Sequence, residues 1–167
     1  GDVYKRQLYD RQRKQYQIAR QNVQIINRKC HELKVQIADL RRLQPDEATT
    51  QSLDEAEQAA RMYDANAATG NEVLDVVLTE KSLLCEAQRI RLNCVADGTC
   101  LAAIEPGDLY ALFSNLLDQA IDAAAQQPND RRMIDLLVCR RQGFAVINVI
   151  GPAPVSYTHL RAHETLA

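Results

Sequence analysis

Between Leu8 and Arg42 the chain contains no glycine and no proline. Those two residues are the usual helix breakers, so this stretch offers the backbone no easy place to bend. Its apolar residues also recur on a heptad. Tyr9, Tyr16, Val23, Cys30 and Ile37 stand seven apart. Ala19, Ile26, Leu33 and Leu40 form a companion row three residues on, with Gln12 as its one polar member. A seven-residue repeat kept up this long predicts a long helix with a coiled-coil seam. Such a seam needs a partner helix, so a helical hairpin or a dimer follows.

Pro45, within the segment Gln44 to Gln51, interrupts the pattern. Ser52 with Glu55 three residues later reads as a capping box, which predicts a second helix running to about Ala67. Thr69-Gly70-Asn71 is a second break. Two helices joined this way form an antiparallel hairpin, and a dimer of hairpins is a four-helix bundle.

Beyond Gly70 the texture changes. Asn71 to Arg89 reads as a helix with Val73, Leu74, Val77, Leu78 and Leu84 on its apolar side. Ile90 to Ala96 alternates as a half-buried strand does, and Asp97-Gly98 is a turn. Glu105 to Gln127 is a helix with Pro106 suited to its first turn. Ile134 to Arg140 and Phe144 to Val149 are strands joined by Arg141-Gln142-Gly143 as a hairpin. Helix, strand, helix, strand, strand is an α+β module.

Composition narrows the function classes. The formal net charge is -2, with no basic patch for nucleic acid or an acidic membrane surface. The five cysteines are odd in number and none has CxxC spacing, which argues against a zinc site or a disulfide framework. Reduced thiols in a cytoplasmic setting are the simpler reading. No apolar run approaches the ~20 residues that span a bilayer, and there is no secretory signal.

Both ends look foreign. Asp2-Val3-Tyr4-Lys5-Arg6-Gln7 resembles a translated sequencing-library transposon adapter, and so does Val155-Ser156-Tyr157-Thr158-His159-Leu160-Arg161-Ala162-His163-Glu164-Thr165. Residues 1–7 and 155–167 are therefore set aside from functional reasoning, with His159 and His163 among them. The expectation is a piece cut from a longer protein.

Chemistry points to two places. His31 is the one histidine left, and it follows the seam residue Cys30, so it faces partly outward. Imidazole is a nucleophile near neutral pH, and Glu32 beside it could accept its other ring proton. A solvated surface histidine next to a glutamate is the bland alternative. The second place is Asn115-Leu116-Leu117-Asp118-Gln119-Ala120-Ile121-Asp122. On a helix, Asn115, Asp118, Gln119 and Asp122 share one face, while Leu112, Leu116, Ala120 and Ala123 line another. The polar stripe reads either as a plain solvated face or as oxygen ligands for a magnesium ion carrying nucleotide phosphates.

This second segment resembles the N box of the GHKL ATPase superfamily, close to N-x-x-D-N-A-I-E-A. His31-Glu32-Leu33-Lys34 resembles the His-Asp-Leu-Lys phospho-acceptor box of sensor histidine kinases in the Gram-positive peptide-sensing group. Thr69-Gly70-Asn71-Glu72-Val73-Leu74-Asp75, with Leu78-Thr79-Glu80-Lys81, resembles the start of their ATPase domain. The resemblance covers about Leu8 to Pro152.

It implies an α+β chain in two parts. Residues 8–68 would be the dimerisation and phospho-acceptor hairpin, and 69–154 the first part of a GHKL-type ATPase α/β sandwich. His31 would be phosphorylated and Glu32 would assist. Asn115, Asp118, Gln119 and Asp122 would bind ATP, with Asn115 and Gln119 toward Mg2+. Gln119 stands where the family has a second Asn, and Asp122 where Glu is common. The implied partners are a second copy of the chain and the receiver domain of a response regulator, with no nucleic acid. The implied setting is the cytoplasmic portion of a membrane-anchored bacterial protein, tethered through a sensor region outside this sequence. The family's D-x-G-x-G segment and glycine-rich lid should follow the Asn148 region and are not in this sequence, so the expectation is a chain inactive on its own. An unfinished sheet edge would also favour aggregation. Gln119 motivates an alternative: a dimeric phosphotransferase or scaffold with a degenerate nucleotide site. A coiled-coil interaction protein without chemistry is a third reading, which the α+β module argues against.

Overall fold

The computed structural model describes residues 1–43, 46–64, 68–152 and 156–161; of residues 61–64 and 156–161 only the backbone is described. Gln44, Pro45 and the expected helix end at Ala67 lie outside the described residues. The chain forms two compact units, Gly1–Ala19 with Ala67–Ala167, and Arg20–Asn66.

The long helix forms as the heptad predicts. Helix α1 runs Asp2–Leu43 and helix α2 runs Glu47–Asp64. Within the unit Arg20–Asn66, Val23, Cys30 and Ile37 are buried on α1, and Leu53 and Ala60 on α2. Arg41 ties the helices by donating to Glu57 at 2.6 Å and to Asp54. Only one heptad row goes inward here. Leu33 and Leu40 of the companion row stay exposed, because one neighbouring helix can cover only one side of a seam.

The start of α2 differs from the capping box at Ser52. Asp46 is the residue before the helix, and its carboxylate accepts from the Thr49 backbone N at 2.7 Å. Those bonds from Thr49 hold the Asp46 carboxyl below its ordinary range. Ser52 lies inside the helix. The first N-cap with an unsatisfied turn ahead of it wins over a later one.

In the other unit, helix α3 spans Glu72–Ala87 and helix α4 Pro106–Ala125, with strands β1 Arg91–Ala96, β2 Met133–Arg141, β3 Phe144–Ile150 and β4 Ser156–Arg161. The sheet order is β1-β2-β3-β4. β1 and β2 are parallel, Arg91 opposite Met133, and the other two pairs are antiparallel. Parallel neighbours require a crossover, and α4 supplies it. The β2–β3 hairpin has a two-residue loop, Gln142-Gly143, both with positive φ (51° and 82°). That twist suits a tight hairpin and explains glycine at the second position. The segment set aside as foreign contributes β4, which pairs with β3 from Phe144 to Val149. The edge of β3 is thus occupied, and the outer strands of the sheet are β1 and β4.

The core lies between the two helices and one face of the sheet. Leu74, Val77, Leu109, Phe113 and Leu117 from the helices meet Ile134, Leu136, Val138 and Ile147 from the strands. Between β1 and α4 a 3-10 turn, Gly98–Leu101, is capped by Asp97, which accepts from Thr99 N at 3.0 Å. The first turns of α1 belong to this unit. Arg13 donates to Glu105 at 2.9 Å, and the Tyr16 ring lies 5.9 Å from that of Tyr110.

The five cysteines are free thiols. Burial pushes the Cys85 thiol up to about 11, with the charge of Lys81 pulling the other way. A proton held more tightly in the folded state makes stability fall as pH rises from about 9 through about 11. Over that window the loss is roughly 2 kcal/mol. Cys85 should therefore resist iodoacetamide at pH 8 in the folded chain and react once urea unfolds it. Modification at the same rate in both states would contradict its burial.

Candidate functional site

Helix α4 carries the four polar residues singled out in the sequence. Its start is fixed by Glu105, whose carboxylate accepts from Asp108 N at 3.2 Å, and by Pro106 in the first turn. Three strips follow along its length. Leu109, Phe113, Leu117, Ile121 and Ala124 are buried. Leu112, Leu116, Ala120 and Ala123, expected as the apolar face, are only half-buried. Asn115, Asp118, Gln119 and Asp122 are all exposed on one side. The sheet takes the strip that carries Phe113, the largest side chain buried without exposure.

Helix α3 reaches this polar side with a cation. Lys81 Nζ lies 2.7 Å from Asp118 Oδ1, with the lysine side chain 10% exposed and the aspartate 51%. Beside Lys81 in the sequence, Glu80 accepts from the Tyr110 hydroxyl at 2.8 Å. Burial first, then the Glu80 bond, push the Tyr110 hydroxyl up to about 12. Two adjacent α3 residues thus hold α4 at two points, on either side of Asn115 in the sequence.

Sequence reasoning passed over Lys81 as part of a motif. Yet a signal is there: Leu74, Leu78, Lys81 and Cys85 fall at i, i+4, i+7 and i+11, one face of a helix. A lysine in the middle of an apolar stripe is costly to bury and needs a partner. Arg132 was passed over too. Its guanidinium donates to Gln88 O at 2.7 Å, Gln127 O at 2.9 Å and Ala125 O at 3.0 Å.

The donors on α4 fit a magnesium-bound nucleotide in kind. They are amide and carboxylate oxygens, exposed and on one side, and Mg2+ on phosphates needs only one or two such ligands. Asp118 already has an oxygen engaged by Lys81, which leaves Asn115, Gln119 and Asp122 as the open donors. Among the described residues, no group of three or more His, Cys, Asp or Glu could hold a bare metal ion.

His31 and Glu32 lie in the other unit, on α1, and both are exposed. Cys30 before them is buried, which turns His31 outward as the seam predicts. The Glu32 carboxylate takes an ammonium from Lys29 at 3.3 Å, one turn back. That pair is half-exposed and weak, so Glu32 remains free to exchange partners. No described helix is long and apolar enough to cross a membrane. The chain matches no family model, no curated protein and no solved structure.

Proposed function

We propose that this chain is part of a sensor histidine kinase of the GHKL type. In this reading α4 offers Asn115, Gln119 and Asp122 to Mg-ATP, and His31 takes the γ-phosphate and passes it to an aspartate of a response regulator. The observation that supports it most is the oxygen-donor strip on α4, exposed along its whole length and backed by the buried Lys81.

The chemistry asked of the protein is mostly positioning and charge stabilisation. The bound metal would offset charge on the phosphates. His31, exposed on a rigid helix, can present a ring nitrogen to a donor, and Glu32 can take a hydrogen bond from the other nitrogen when that nitrogen is protonated. Leu33 and Leu40, exposed on the seam of α1, favour a second copy as the partner that covers them. The alternative of a scaffold with a degenerate site keeps its support in Gln119, whose amide oxygen sits one methylene further out than the family's Asn.

The test is made on a longer chain that joins these residues to the glycine-rich segments. Incubated with radiolabelled ATP and magnesium, it should gain an acid-labile label, and His31→Gln should remove the label entirely. Label that persists in His31→Gln would sink the phospho-acceptor assignment. Nucleotide that fails to bind at all would favour the scaffold.

A further inference from the structure

The Lys81–Asp118 pair carries an inference that rests on the nucleotide reading and goes past it. We propose that Lys81 is a positioning residue for the α4 face: it neutralises and fixes Asp118, so that Asn115 and Gln119 are left aligned for the phosphates and their metal.

The geometry argues for this role over a surface ion pair. Lys81 is nearly buried, and its ammonium is 2.7 Å from a carboxylate that is itself half-exposed. An ammonium buried this far needs a partner to offset its lost hydration, so the two side chains constrain each other. Asp118 lies three residues beyond Asn115 and one before Gln119, so fixing it fixes the turn of α4 that carries both amides. Tyr110 bound to Glu80 anchors the preceding turns to the same helix. The electrostatics point the same way. Asp118 and Asp122 stand on one face of α4, and two bare carboxylates repel a polyphosphate. Lys81 cancels one of them from beneath without occupying the open side.

The experiment follows the side-chain amide NMR signals of Asn115 and Gln119 in this chain, free and titrated with Mg-ADP. Lys81→Met keeps the apolar stem and removes the charge. It should shift both amide signals in the free protein and weaken Mg-ADP binding about tenfold. Lys81→Arg should restore the parent signals. Adding Asp118→Asn to Lys81→Met should recover the part of the affinity lost to the uncancelled carboxylate, while both amide signals stay displaced, since the pair that fixed the turn is gone. A merely structural lysine would give no such rescue, and a direct phosphate ligand would give none either; affinity that stays low in the double variant overturns the proposal. Amide signals unmoved by Lys81→Met overturn it as well, whatever the nucleotide does. If Lys81→Met loses its dispersed spectrum, Asp118→Asn compared with Asp118→Asn carrying Lys81→Met makes the amide test: a lysine that acts through Asp118 adds no further shift there, and a further shift of either amide overturns the coupling. Signals that move in a parent chain showing no saturable response to Mg-ADP support the positioning role and count against the nucleotide reading instead.

Discussion

Arg132→Ala should cost the α+β unit about 2–3 kcal/mol, making it one of the most damaging single truncations outside the apolar core. One guanidinium there serves the ends of both helices. It donates to Gln88 O just past the end of α3, and to Ala125 O and Gln127 O at the end of α4. The last carbonyls of a helix have no partner within it and carry the negative end of its dipole. A planar fork with five donors can meet several such acceptors at once, whereas an ammonium acts as a point charge. The backbone of Arg132 matters as well, since its carbonyl accepts from Arg91 N at 2.9 Å where β1 begins to pair with β2. Side-chain truncation leaves that bond alone, which isolates the clamp. The acceptor residues are half-buried, so water can replace part of what is lost. The loss is therefore smaller than for a fully buried ion. For a unit of this size the melting temperature should drop by roughly 10 °C. Arg132→Lys should recover less than half of the loss. A melting temperature within a degree or two of the parent in Arg132→Ala would show that the clamp contributes nothing net.

Arg132 also shows where sequence reading stops. The α+β class, the long helix, α3, α4 and strands β1 to β3 were legible, because periodicity and breakers are local signals; β4 was not, since its residues were set aside as foreign. The hairpin turn was legible from its glycine. Local signals competed at α2, where Ser52 with Glu55 looked like a start but Asp46 came first and took the role. On α4 the apolar strip at Leu112 and the one at Leu109 look alike in sequence, and only the position of the sheet separates them. The same limit hid the Arg132 clamp and the Lys81–Asp118 pair. Their partners are set by how α3 and α4 come to lie against each other, which no spacing along either helix records. The candidate site was legible as a strip of four residues on α4 and silent about the cation beneath it.

Gly98→Ala should lose about 2–3 kcal/mol, although it adds a single methyl group. Two segments that read as separate breaks in the sequence, Thr69-Gly70-Asn71 and Asp97-Gly98, meet in the fold. Gly98 N donates to Thr69 O at 2.7 Å. A Cβ on Gly98 would lie 2.6 Å from Asn71 Cβ, 2.8 Å from Thr69 Oγ1 and 3.0 Å from Asn71 N. Carbon atoms in contact prefer about 3.5–4.0 Å, so one side has to give way by close to an ångström. The segment it meets is not free to do so. Asn71 caps α3 by accepting from Leu74 N at 3.1 Å, and Thr69 donates twice to Asp75, at 2.7 Å from its hydroxyl and 3.0 Å from its backbone. Moving the segment breaks the cap, worth about 1 kcal/mol, and strains the rest. The cause can be separated from a general intolerance of alanine. Asn71→Gly removes the nearest clashing atom, and glycine is a tolerable cap, so the double variant should lose less than the sum of the two single ones. Gly151→Ala, whose added Cβ meets only Met133 O at 3.9 Å, should stay within about 0.5 kcal/mol of the parent. Denaturant unfolding of the four variants decides it: losses that add between Gly98→Ala and Asn71→Gly would show that the two loops do not press on each other as the geometry requires.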